Sequence, residues 1–166
     1  MESLLDKISS YNKLNNIIPG AVFVYFWSAL DIGTFPSDNI VESVILYYFC
    51  GLIVSRVASL VIEWFFKKVN LISYAPKSEY IEATKRDKLI ETLLESNNMY
   101  RTFTGLFLVL VIAKAYVVAA NYFCIRQEIS AWIVLIGLLC LFAGSFCKQT
   151  EHIRSRVETA LKDKET

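Results

Sequence analysis

The sequence predicts an all-α integral membrane protein with four transmembrane helices plus short cytoplasmic amphipathic helices. Three observations carry this. Apolar stretches of near-membrane length occur four times, the charges gather in the polar segments around them, and hydrophobic residues make up 55% of the chain with mean hydropathy +0.43. A water-soluble domain is less apolar than this. A bilayer core of roughly 30 Å takes about 20 helical residues. Runs such as TGLFLVLVIA and AWIVLIGLLCLFAG lack the polar face that a soluble amphipathic helix repeats with its turn. Residues 1–166 read as a single membrane domain.

The start, MESLLDKISSYNKLNN, is polar and mixed in charge, with Leu4, Leu5 and Ile8 forming a short amphipathic piece. It lacks the basic opening of a secretory leader, so the first span reads as a retained anchor. That span covers residues 17–35, with Asn15 and Asn16 suited to cap it and Pro19 in its first turn. It is the weakest of the four because it holds Asp31 and Gly33. The second span, 44–66, carries Arg56 and Glu63; the third, 102–124, carries Lys114; the fourth, 130–147, has no charge.

Residues 67–101 form a polar loop with a predicted helix. Ser78 is placed to cap it, Glu79 and Glu82 suit its first turn, and Ile81, Leu89, Ile90, Leu93 and Leu94 fall largely on one face. Asn97 and Asn98 are expected to stop it. In the tail, 148–166, Ile153, Val157 and Leu161 recur every four residues, so the fourth span is expected to continue as an amphipathic helix.

Lys and Arg set the orientation, because cytoplasmic loops retain positive charge. Seven lie between Lys67 and Arg101 and five follow Cys147, whereas the first connection has none and the last only Arg126. Both termini and the central loop are therefore expected in the cytoplasm, beneath a cell (plasma or inner) membrane.

Ionised groups inside the spans are the strongest candidates for function, since a charge at mid-membrane must face protein or water. Arg56 lies roughly 16 Å from Lys67 and Lys114 about 20 Å from Arg101 at the helical rise, and Asp31 roughly 22 Å from Asn16, with Glu63 near the inner boundary. The expected arrangement pairs Asp31 with Arg56 or Lys114 and leaves one cation over, which either snorkels or is hydrated, or, in repeated subunits, lines a wet pathway that favours anions or controls opening. An earlier end to the first span would instead leave Asp31 at the outer surface.

Two strips of small residues are expected to let helices approach closely, Gly51, Ser55 and Ser59 on the second span, and Gly137, Cys140, Gly144 and Cys147 on the fourth. At the inner boundary, Asn97, Asn98, Tyr100 and Arg101 are candidates for lipid contact, with Arg101 able to lock onto Glu63. The cysteines Cys50, Cys124, Cys140 and Cys147 have no metal or redox spacing, although Cys50 and Cys124 both fall near the outer face.

No nucleophile elbow, phosphate-binding loop or metal-ligand pattern is present, so the sequence predicts no enzyme, no cofactor and no metal. The near balance of 17 basic and 16 acidic residues gives no field for nucleic acid. The expected partners are the lipid bilayer, further copies of the chain, and a cytoplasmic protein. Two functions remain. One is a homo-oligomeric channel or pore-forming effector with its charges lining the transmembrane interior. The other is a non-conducting adaptor or assembly protein that binds a cytoplasmic partner through its helical loop and tail.

Overall fold

In the computed structural model residues 2–35 and 39–162 are described, with side chains from Asn16 onward except at a few positions in the polar helices and the tail. The expected stripes of Leu4, Leu5, Ile8 and Ile81 rest on side chains outside the described set. Among the described residues the chain is helical, without strands. It forms α1 (Glu2–Ala29), α2 (Ile40–Lys68), α3 (Lys77–Arg86), α4 (Leu89–Tyr122) and α5 (Gln127–Lys162). Three of these, α2, α4 and α5, are long and apolar enough to cross a membrane, which marks the chain as a membrane protein.

The apolar part of α1, Asn16–Ala29, is roughly 21 Å long at ~1.5 Å per residue, short of the ~30 Å hydrocarbon thickness. Residues 30–35 are not helical. Asn15 and Asn16 do not cap α1, which begins at Glu2 and holds Pro19 in its interior. Helices that continue out of the apolar region satisfy their own backbone groups, so a start in mid-chain gains nothing from a polar cap.

Three helices end alike. Asp31, Asn70 and Cys124 have φ of 51°, 56° and 50°, the left-handed conformation of the residue just past a helix. In each case the next residue's N–H reaches back to a carbonyl of the last turn: Ile32 to Trp27 at 3.1 Å, Leu71 to Phe66 at 2.9 Å and Ile125 to Ala120 at 2.9 Å. This is the Schellman closure, usually built on glycine. Cys124 is exposed and unbridged, so Cys124→Gly is expected to stabilise the chain by about 1 kcal/mol through relief of the left-handed penalty, read as a rise in thermal midpoint. At the other end of the first connection, Asn39 accepts the Glu42 N–H at 2.9 Å while its own amide donates to the Glu42 carboxylate at 2.7 Å. That reciprocal cap starts α2 at Ile40, before the expected Val44.

The most extensive interface is α1 against α2, packed antiparallel: Gly20 lies on Tyr47 and Gly51, and Asn16, one turn earlier, on Gly51. Phe23, Cys50, Val54, Leu106 and Leu110 form the buried core between α1, α2 and α4. Gly105 brings α4 against Ala58 of α2. In contrast, α5 has none of its most apolar stretch buried. Its contacts with the rest include the stacked rings of Phe49 and Phe142, Gly144 on Leu60, and a 2.8 Å hydrogen bond from Tyr116 to Ser130.

The polar segments largely join the spans. α3 begins at Lys77, with Pro76 rather than Ser78 at its cap position, and ends at Asp87, whose carboxylate accepts the Leu89 N–H at 2.9 Å to open α4. Asn97 and Asn98 do not stop the helix; α4 runs through them into the third apolar stretch as 34 residues. The expected continuation of the fourth stretch is present, since α5 is a single helix of 36 residues.

Candidate functional site: a cation-lined chamber

α2 is not α-helical throughout. Residues Ala58–Ile62 form a π-helical turn, closed by the Glu63 N–H on the Ala58 carbonyl. A π-turn widens the helix by one residue and loosens nearby carbonyls from their usual donors, and such turns cluster at functional sites. Here the Ser59 carbonyl accepts from Lys148 of α5 at 2.6 Å, and Ser59 Oγ lies 2.9 Å from the same ammonium. The third proton of Lys148 goes to Glu63 Oε2 at 2.8 Å. An ammonium has three donors, and all three are used.

Glu63 is the centre of this end of the protein. Its Oε2 also accepts from Arg101 Nη1 of α4 at 3.1 Å, and its Oε1 from Lys67 Nζ at 2.9 Å. The Glu63 side chain is only 12% exposed, against 24% for Arg101, 27% for Lys148 and 50% for Lys67. One carboxylate thus ties α2, α4 and α5 together. Lys67 further lies 4.6 Å from the centre of the Tyr74 ring, which holds the segment before α3 against α2.

Between these elements lies a chamber of about 760 Å³. Arg56, Ser59, Leu60, Glu63 and Lys67 of α2 form one wall; Ile90, Leu93, Leu94, Asn97, Asn98 and Arg101 of α4 form another; Lys148, Gln149 and His152 of α5, with Tyr74 and Tyr80, complete the lining. Among the described residues four permanent cations border the space and one carboxylate answers them. Arg56 is half-buried and makes no hydrogen bond or ion pair among the described residues. Arg101 Nε is buried without a hydrogen-bond partner among the described residues.

The expected residues divide between the two ends of the bundle. Glu63, Arg101, Arg56, Ser59, Asn97 and Asn98 come together at the chamber, whereas Tyr100 is 68% exposed and outside it. Asp31 does not join them. It is exposed in the left-handed turn after α1 and forms no ion pair among the described residues, so the expected pairing with Arg56 or Lys114 is absent. Lys114 instead donates to the Leu30 carbonyl at 2.5 Å, the place where a helix end presents free carbonyls to a cation.

Gly51 of the first small-residue strip is consumed by α1 within the chain; Ser55 is half-buried along the same helix. In the second strip Gly144 meets Leu60, Cys140 is exposed, and Gly137 has nothing within 4 Å. Sequence reasoning missed Lys148 because it was counted with the tail. It follows Cys147, the inner boundary of the fourth span, which puts it at the level of Glu63 and Arg101. Gly20 and Gly105 were also missed, both being partners of small residues rather than parts of strips.

The chain matches no family model, no curated protein and no solved structure.

Proposed function

We propose that the chain crosses a cell membrane four times with both termini in the cytoplasm, and assembles into a homo-oligomeric channel or pore-forming effector whose cytoplasmic vestibule is the cation-lined chamber. Arg56 carries this reading. It stands roughly 16 Å above Lys67 along the helix, borders the chamber, and pairs with no carboxylate among the described residues. A guanidinium at that depth costs at least ~2.5–3.5 kcal/mol if it faces lipid, so the chamber supplies its water. With four cations against one carboxylate, the vestibule concentrates anions.

The fourth crossing is α1, whose short apolar part is accommodated by thinning of the bilayer around it. Conduction runs between subunits, because Phe23, Val54, Leu106 and Leu110 fill the interior of a single chain. The open flank of α5 around Gly137 and Cys140 is the surface that meets the next copy. No catalysis is assigned.

Planar bilayers test this. The wild-type chain is expected to conduct with a preference for chloride over potassium, and Arg56→Gln to reduce that preference several-fold without changing oligomer size. Protein that assembles but carries no current at any voltage ends the channel reading.

That result would favour the adaptor, which has its own support. Leu89 and Leu93 of α4 and Ile153, Val157 and Leu161 of α5 are 52–60% exposed outside the apolar stretches, a surface suited to a cytoplasmic protein partner.

A further inference from the structure

We infer that the chamber binds a phosphate-bearing anion, the monoester headgroup of an anionic membrane lipid, through Arg56, Arg101 and Lys148. The inference rests on the topology proposed above, in which this chamber meets the inner leaflet, but not on conduction.

The donors are already in place. Arg101 spends Nη1 on Glu63 and leaves Nε buried without a partner. A guanidinium binds a tetrahedral oxyanion through its Nε–Nη edge, two parallel donors matched to two oxygens. The Nε of that edge is therefore unanswered among the described residues. Arg56 faces the same space with no partner among the described residues. Lys148 sits between Ser59 and Glu63 and adds a third positive pole.

The charge fits one class of ligand better than others. Arg56, Lys67, Arg101 and Lys148 exceed Glu63 by three charges. A carboxylate would repeat what Glu63 does, with two oxygens and one charge. A phosphate monoester brings about −1.5 to −2 and three acceptor oxygens, enough to answer both guanidiniums, while Lys148, its three donors already used within the chain, contributes charge alone.

The walls argue for a lipid source. Leu60, Ile90, Leu93 and Leu94 line the same space as the cations, an apolar surface that a free phosphate ion would leave wet. The volume of about 760 Å³ is that of a small-molecule site and takes a headgroup with its glycerol and the first methylenes.

The test titrates dihexanoyl phosphatidic acid, dihexanoyl phosphatidylcholine and inorganic phosphate into the full chain in nonionic detergent, read by calorimetry. Phosphatidic acid is expected to bind saturably, one per chain, with phosphatidylcholine silent and inorganic phosphate weaker. Arg56→Gln is expected to weaken binding roughly tenfold or more through loss of a charge-assisted fork. Lys68→Gln, on the same helix but outside the chamber, leaves it unchanged. Arg56→Lys keeps the charge without the fork and gives an intermediate loss, which covers the case in which the glutamine variant misfolds.

No binding of phosphatidic acid, or equal loss in Arg56→Gln and Lys68→Gln, overturns the site. Equal affinity for inorganic phosphate supports the anion site and overturns the lipid source. Binding without conduction defeats the channel reading alone, and conduction without binding defeats this one alone.

Discussion

Glu63→Gln is expected to destabilise the chain by about 3–5 kcal/mol, the range for removing one partner of a buried ion pair. The amide can accept through its oxygen, but its nitrogen donates, and it would point a donor at one of three cations. Lys67 is half exposed and can turn to water, so its loss counts for little. Arg101 and Lys148 are about three-quarters buried and come from different helices. Neither can leave without α4 or α5 moving away from α2. At ~2–4 °C per kcal/mol for a chain of this size, the thermal midpoint in detergent falls by roughly 6–20 °C.

Two controls separate this from a surface effect. Raising salt is expected to leave the wild-type midpoint nearly unchanged, because a shielded cluster is screened far less than exposed pairs. Adding Arg101→Gln to Glu63→Gln is expected to cost less than the two losses summed, since the second change removes a charge that the first had stranded. A loss below ~1 kcal/mol for Glu63→Gln would place the cluster among ordinary surface pairs and remove it as the tie between the three helices.

How much of this could be read from the chain itself depends on the scale of the signal. Long apolar runs declare themselves, because nothing but hydrocarbon or a core tolerates them; hence α2, α4 and α5 stand where the second, third and fourth spans were expected. Boundaries were less legible. Asn16, Asn97 and Asn98 look like punctuation, yet α1 and α4 run through them, since continuing a long helix is cheaper than ending it and recapping eight backbone groups. The Asn39–Glu42 box was a genuine start signal that the apolar count passed over.

Among the charges, Glu63 and Arg101 were predictable as a pair because both fall at one boundary, and depth is computable from a constant rise. Depth was not enough for Asp31. Its place was decided by the left-handed turn that ends α1, and nothing in composition marks an aspartate as the residue after a helix when a glycine stands two positions later. The π-turn at Ala58–Ile62 has no sequence signature at all. It arises where Gly105 packs on Ala58 and Lys148 takes the Ser59 carbonyl, contacts made by residues 47 and 89 positions away in the chain.

Gly51→Val is expected to part α1 from α2. A Cβ at Gly51 would stand 1.8 Å from the Asn16 carbonyl oxygen, and one at Gly20 would stand 1.6 Å from that of Tyr47. Ordinary contact begins at 3.4 Å, and the obstacle on both sides is backbone, which cannot rotate away as a side chain can. The helices must separate by well over an ångström, and Phe23 then lifts from Cys50, Val54 and Leu106. Overpacking of this kind costs about 3 kcal/mol or more, and the same is expected of Gly20→Val. Together the two should cost less than their sum, because once the interface is open the second clash meets nothing. Gly137→Ala provides the contrast. With no atom within 4 Å, it should stabilise the folded protomer by about 0.5–1 kcal/mol through helix propensity alone. If α5 is also the seam between copies, that substitution shifts the assembly toward smaller species while the midpoint holds or rises. Gly51→Val lowers the midpoint whatever the assembly does. Oligomer size and thermal midpoint measured on both variants therefore assign one glycine to the fold and the other to association, or show that α5 faces only lipid.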